Sequence, residues 1–252
     1  MTVHETAAAG FANTADDYER SRPSYPPAAV DHLVQTLGLG PGRTVCDVAA
    51  GTGKLTRLLV ASGAQVIAVE PVSEMRAIIE RVAPSVVVVA GSAEDLPVAA
   101  ADAITVAQAF HWFDGTAALA SFHRVLPPGG GLAVIYNERD LAPGWVAEVY
   151  ELIRPYRTRV PQREDGHWAD AFADAELFTP LERLEFDNPH ELSRADAIGR
   201  FRSLSYVGAL DPAAQRVVLG EITALIDSHP DTRGMDPIVL PQRTVVSTCR
   251  RR

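Results

Sequence analysis

Apolar residues in the first half of this chain fall into short continuous runs, separated by amphipathic segments. In "AAVDHLVQTLGL", Val30, Leu33, Val34 and Leu37 stand at helical spacing, and "GPG" ends the helix. "TVCDVA" reads as a strand, "KLTRLLVASG" as a helix and "QVIAVE" as a strand. "SEMRAIIERVA" reads as a helix with Ser73 as its N-cap, and "SVVVVAG" and "AITVAQAF" as strands. "GTAALASFHRVLPPGGG" is a helix stopped by its prolines and glycines, and "LAVIYNE" is a fifth strand. Unbroken apolar strands alternating with helices mark parallel strands buried on both faces. The expectation is an α/β fold with a doubly wound sheet. Its ligand should lie outside the carboxyl ends of the strands, where strand order reverses.

After Asp140 the rhythm changes. Helical patterns cover roughly 143–158 and 167–176, "LERLEF" alternates like a strand, and helices follow near 191–208 and 211–228. "QRTVVSTCRR" closes the chain as a strand, so a long helical insertion separates the last two strands. Covering a ligand is one role for it; completing the core is the other.

Composition narrows the class. The 252 residues are 47% apolar and 22% charged, with 32 acids against 23 bases and a net charge of −9. One domain fits this length. The only basic cluster, Arg250, Arg251 and Arg252, reads as a frayed solvated tail, so no nucleic-acid partner is expected. No apolar run approaches a membrane span, and residues 1–23 lack the pattern of a signal peptide, so a cytoplasmic protein without a membrane partner is expected. Cys46 and Cys249 form no metal or disulfide framework, and Cys46 reads as an inert core thiol.

The stretch "VCDVAAGTGKL" carries the chemistry. A triphosphate loop is excluded because Leu55 follows Gly53-Lys54 and Val48 stands where the first glycine belongs. A dinucleotide loop is weakened because Thr56 takes the place of its third glycine. Gly51 and Gly53 permit a backbone that approaches a ligand with no side chain between. Asp47 at the strand end has the charge to meet a cation. Glu70, ending the second strand, can accept bonds from both hydroxyls of a ribose. An acid at a ribose without a phosphate grip points to a nucleoside.

These residues resemble the class I S-adenosylmethionine (AdoMet)-dependent methyltransferases, in particular the small-molecule branch called type 11. "DVAAGTG" is similar to the family's first motif, with Ala49 replacing its first glycine and Thr52 within it. Glu70 matches the ribose acid, and "PVSEM" resembles the Pro-Ser-x-x-Met that follows, which puts Pro71 and Met75 beside the cofactor. "GSAEDLP" resembles the adenine motif, with Ser92, Ala93 and Glu94. "AQAFHWFD", including Gln108, looks like the fourth-strand motif, and "RVLPPGG" like the turn before the fifth strand. "YERSRPSYP" is similar to the branch's lead-in, in which Tyr18 would cover the methionine part and Arg22 pair with its carboxylate, leaving Tyr25 structural. The resemblance implies a Rossmann-like seven-stranded sheet with its last strand antiparallel, in a single domain over 1–252 with a lid over 1–30, a cofactor-binding core over 31–140, and substrate cap helices with the last two strands over 141–252. It also implies AdoMet as cofactor, S-adenosylhomocysteine (AdoHcy) as product and no required metal.

The acceptor side rests on fewer residues. His111 in "FHWF" follows the fourth strand, where the methyl group should project, and is the candidate general base or, alternatively, a wall residue; Trp112 offers a flat apolar wall. Trp168 is a further wall candidate. Arg202 and Tyr206, four residues apart on an expected helix, are candidates for gripping a carboxylate. The expected reaction is methylation of a small-molecule oxygen, nitrogen or carboxylate by a monomer or homodimer. A non-methylating AdoMet enzyme of the cyclase or pericyclase type, a non-catalytic AdoMet-binding protein and a nicotinamide dehydrogenase remain open at this stage.

Overall fold

The computed structural model describes residues 23–140, 144–157, 167–173 and 176–252. Helix α1 (Pro27–Leu37) begins with proline at its first position, where a missing N–H costs nothing, and ends at Gly38 in the left-handed region. Strand β1 (Thr44–Val48), α2 (Lys54–Val60), β2 (Gln65–Val69), α3 (Ser73–Val82) and β3 (Val87–Val89) follow. The chain continues through β4 (Ala103–Ala107), α4 (Gly115–Val125) and β5 (Gly131–Arg139). Beyond β5 come α5 (Trp145–Ile153), α6 (His167–Asp170), β6 (Glu182–Asp187), β7 (His190–Leu192), α7 (Arg194–Arg202), α8 (Ser205–Gly208), α9 (Pro212–Ser228), β8 (Ile238–Leu240) and β9 (Gln242–Arg250).

Seven strands form one sheet in the order β3-β2-β1-β4-β5-β9-β6. β1 pairs in parallel with both β2 and β4, so strand order reverses there and the loops after β1 and β4 diverge. β9 runs antiparallel to its neighbours β5 and β6. The expected sheet, with its last strand antiparallel, is therefore the observed one. Leu33, Leu37, Leu55 and Leu59 of α1 and α2 pack in one core, and Leu119, Phe122 and Val125 of α4 belong to another with Phe110 and Val134.

The cap has its own core, built on Trp145, Val149, Phe201, Val218, Ile222 and Ile226. Its β6-to-β9 part starts and ends in a two-stranded ribbon of β7 and β8, which the sequence reading missed because three residues show no period. Three other expectations need correction. The helix expected near 191–208 is broken: α7 stops at Arg202, and Ser203 caps it before α8 begins. Val72, not Ser73, occupies the N-cap of α3, and Ser73 Oγ donates to Glu74 instead. The terminal arginines are not frayed. Arg250 donates to the Thr36 carbonyl, Arg251 to the Leu126 carbonyl, and the Arg252 backbone N–H to Leu177 O. Strand β9 extends to Arg250, and these bonds tie its end to the last turn of α1, the C-cap of α4 and the segment before β6.

Candidate active site

The loop after β1 is built from left-handed backbone. Ala49, Gly51 and Gly53 have φ of 54°, 59° and 81°. Glycine adopts this region freely, whereas Ala49 is strained by roughly 1–2 kcal/mol. At Gly53 a Cβ would also lie 3.2 Å from the Ile79 side chain, so loop and α3 fit closely. Glu70, only 4% exposed, sits across from the loop. Its Oε2 accepts the Gly51 N–H and its Oε1 the Val72 N–H, both at 2.9 Å. Burial pushes its carboxyl up from the ordinary value, while the two N–H donors and the Arg76 charge oppose that shift. Arg76 Nη1 donates to the carbonyls of Glu70 and Pro71, which fixes the turn between β2 and α3. Met75 is buried on the same helix, with its sulfur 3.8 Å from where a Cβ on Gly51 would stand.

Asp47 lies beneath the loop rather than facing outward. It is fully buried, and its two oxygens accept from Thr56 Oγ1 at 2.6 Å and Thr105 Oγ1 at 2.8 Å. Burial raises its carboxyl to about 6 despite those bonds. It meets two hydroxyls, where the sequence reading expected a cation, and ties β1 to α2 and β4.

A second strained residue ends β4. Gln108 has φ of 59°, and its N–H donates to Ile135 O at 2.9 Å. The chain then makes a single 3-10 turn, Phe110–Trp112. Phe110 is buried there, while His111 and Trp112 are half-buried. Tyr136 on β5 holds this turn: its hydroxyl accepts the His111 backbone N–H and lies 3.1 Å from His111 Nδ1. The His111 ring lies 5.0 Å from that of Trp112 and 5.8 Å from that of Tyr136, and Trp168 in turn meets the Tyr136 ring at 5.4 Å and Phe110 edge-on at 6.0 Å.

Between the two strained points a cleft opens, lined by Ala49–Thr52, Lys54, Leu55, Ala107 and Gln108, with Pro23, Tyr25, Asn137 and Arg200 on its other sides. Asn137 Nδ2 donates to the carbonyls of Pro23 and Ser24, and Asn188 joins the same network. Tyr25 is anchored in the core, as expected of it, and lines the cleft besides. Ser92 and Ala93 are buried after β3, and Glu94 accepts the Asp114 N–H at 3.2 Å. Ser92 Oγ has no hydrogen-bond partner among the described residues. Tyr18 and Arg22 lie outside the described residues. Arg202 and Tyr206 do not share a helical face, because α7 ends between them, and Tyr206 packs in the cap core. The cap arginine that reaches the cleft is Arg200, two residues earlier.

Sequence reasoning thus missed Lys54, Tyr136, Asn137 and Arg200. Tyr136 and Asn137 left a trace as polar groups inside the apolar run "LAVIYNE", while Arg200 left none.

A methyltransferase-domain family model matches residues 46–134, the span from β1 to β5. An uncharacterized methyltransferase of Mycobacterium bovis is 35% identical over 237 residues, covering 93% of each chain. The chain belongs to the class I AdoMet-dependent methyltransferases. Another uncharacterized methyltransferase-like protein, from Schizosaccharomyces pombe, shares 29% identity over 93% of each chain. In structure, the methyltransferase superposes on a chain from Anaeromyxobacter dehalogenans described as a type II methyltransferase, with a TM-score of 0.63 at 24% identity, covering 91% and 96% of the two chains. That likeness is one of fold. Among its described residues this methyltransferase has no cluster of three or more metal-ligating side chains, and no helix long and apolar enough to cross a membrane.

Proposed function

We propose that this methyltransferase passes the methyl group of AdoMet to a small-molecule acceptor and releases AdoHcy. The observation that carries this reading is the pairing of buried Glu70 with a loop whose backbone is left-handed at Ala49 and Gly51. A carboxylate offers about four lone-pair sites. Gly51 and Val72 take one on each oxygen, which leaves acceptor capacity for ribose hydroxyls. The loop presents backbone at Gly51, Thr52 and Gly53, and Pro71 and Met75 flank it. The buried Ser92 hydroxyl, with Ala93 and Glu94, suits a purine edge. Asp47 supports the loop from beneath, and Tyr18 and Arg22 are assigned to the methionine end by the motif they belong to.

Bound AdoMet supplies a methyl group already activated by its sulfonium. The protein's part is to orient the acceptor, exclude water and receive a proton where the acceptor has one. Gln108 positions the turn that carries His111, and Trp112 and Trp168 wall it. His111 Nε2 is the atom assigned to take the proton.

Calorimetry with AdoMet and AdoHcy tests the cofactor assignment, and transfer of labelled methyl into a metabolite extract tests the reaction. Binding with appearance of a labelled small molecule is expected. Glu70→Ala, folded by circular dichroism, should bind AdoHcy about 10- to 100-fold more weakly, the effect of one charge-assisted hydrogen bond. A folded wild-type protein without affinity for either ligand would overturn the proposal, and turnover of AdoMet without a methylated product would favour a non-methylating reaction.

A further inference from the structure

From Ile238 to Thr244 buried and exposed residues alternate strictly, and the facing segment from Phe186 to Leu192 alternates in step. The Asn188 N–H donates to Gln242 O at 3.1 Å, between the β6–β9 and β7–β8 ladders. The two ladders thus share one inward face that runs from the sheet into the cap. At the sheet end that face is polar and bonded: Asn188 Nδ2 donates to Asn137 Oδ1 and Thr244 Oγ1, and Thr244 Oγ1 donates to Asn137 Oδ1. At the cap end it is apolar, with Leu192, Ile238 and Leu240 in the cap core. Between the two zones stand Gln242 and His190. Gln242 is 4% exposed, and neither atom of its amide has a hydrogen-bond partner among the described residues. His190 Nδ1 is buried without one as well. Burying an amide with donor and acceptor both unmet costs stability that an apolar side chain of the same shape would not. The fold itself makes no use of these polar atoms.

Their position gives them a use. Gln242 pairs with Arg139, the last residue of β5, so it lies at the carboxyl ends of the parallel strands, the ligand side. It is two strands beyond β4, about 10 Å at ordinary strand spacing, and on the opposite side of β4 from the Glu70 loop. His190 lies within the field of the cleft. Burial first, then the charges of Arg200 and Lys54, push its imidazole down to about 4 against an opposing pull from Asp196, so the ring is neutral at pH 7. We infer that Gln242 and His190 form a recognition site for the methyl acceptor, taking a neutral carboxamide group on it. The inference rests on the methyltransferase reading above. A carboxamide carries N–H beside C=O and meets both atoms of the Gln242 amide with two parallel bonds. An ionised carboxylate meets only the N–H and sets an oxygen against the Gln242 oxygen. The neutral imidazole adds one further bond and no charge to draw an anion. An amide nitrogen is a poor nucleophile, because its lone pair is shared with the carbonyl. The amide is therefore the handle, and a different atom of the acceptor, toward His111, is methylated.

The test uses protein saturated with AdoHcy, so that the cofactor site is filled. It is titrated at millimolar concentration with benzamide and, separately, with benzoate, which has the same shape and carries a charge. Saturable binding of benzamide is expected, with benzoate at least about tenfold weaker. Gln242→Met keeps the shape and removes both polar atoms. It should weaken benzamide about tenfold and leave AdoHcy affinity near the wild-type value. It should also raise the melting temperature by about 2–4 °C, since no bond within the fold is lost. His190→Leu should weaken benzamide several-fold. No benzamide binding by loaded wild-type protein, benzoate binding as tight as benzamide, or unchanged benzamide binding in Gln242→Met overturns the inference and leaves the methyltransferase reading standing. A Gln242→Met melting temperature no higher than wild type gives the amide a structural role and overturns it. A parallel loss of AdoHcy affinity in that variant assigns Gln242 to the cofactor and overturns it too. Wild-type protein that fails to bind AdoHcy sinks both.

Discussion

One phenol with one proton serves two nitrogens of His111. The Tyr136 hydroxyl accepts the backbone N–H, and its second contact, to Nδ1, can run either way. If the hydroxyl donates to Nδ1, the ring proton sits on Nε2 and that nitrogen is no base. If Nδ1–H donates to the hydroxyl, Nε2 is left with its lone pair. The proposed proton acceptance by His111 requires the second arrangement. His111→Ala should therefore lower kcat by about 10²–10⁴-fold, the usual range for a general base, with added imidazole restoring part of it. His111→Gln should not recover activity, since an amide takes no proton. Tyr136→Phe should lower kcat about tenfold with KM nearly unchanged, because the tautomer is no longer held. Steady-state kinetics on an acceptor found by labelled-methyl transfer decides this. A fully active His111→Ala enzyme would remove the base.

At the scale of elements, strain concentrates where two strands end. Ala49 after β1 and Gln108 after β4 are the two non-glycine residues with positive φ among those described, and both line the cleft. Such conformations cost about 1–3 kcal/mol each and persist where the surroundings over-determine them. Gln108→Gly relieves the strain and removes the side chain. Thermal melts should show a stability gain of about 1 kcal/mol, and calorimetry a weaker AdoHcy affinity. Gly51→Val acts in the opposite sense on stability, since a β-branched residue tolerates a φ of 59° poorly. It should lower the melting temperature and weaken AdoHcy at least about tenfold, as the loop backbone moves. A folded Gly51→Val protein with normal affinity would separate the loop from the cofactor.

Across the whole molecule, Asp47 links β1, α2 and β4 through two threonines. Its carboxyl is raised from 3.8 to about 6, chiefly by burial. Between those values the native state holds more protons than the unfolded chain, so stability falls as pH rises through the window. The contribution is greatest below the ordinary carboxylate value and is lost once pH passes about 6. Asp47→Asn removes this term. Melts from pH 4 to pH 7 should show a wild-type decline of the order of 2–3 kcal/mol that the variant lacks. Equal pH profiles for the two proteins would contradict the assignment. Cys46 and Cys249 add nothing to such a profile, since burial pushes both thiols up to about 12.

The alternation of apolar runs with amphipathic segments determined the order of strands and helices from α1 to β5. Each such element is specified by a period contained within it, and the glycines of the loop act on their own backbone. Glu70 was legible for the same reason: it stands at the end of a strand, a fixed distance after the loop that it bonds. The convergence of Tyr136, Asn137, Lys54 and Arg200 on one cleft was decided by tertiary structure. Arg200 and Arg202 are equivalent to any local pattern. The break after α7 and the packing of Phe201 and Tyr206 into the cap core set which of them faces the cleft. Nor did local pattern separate a loose arginine tail from one bonded to the Thr36, Leu126 and Leu177 carbonyls, because those acceptors lie more than seventy residues away along the chain. Local periodicity encodes the backbone's hydrogen bonding to itself, whereas a side chain's direction depends on what packs around it.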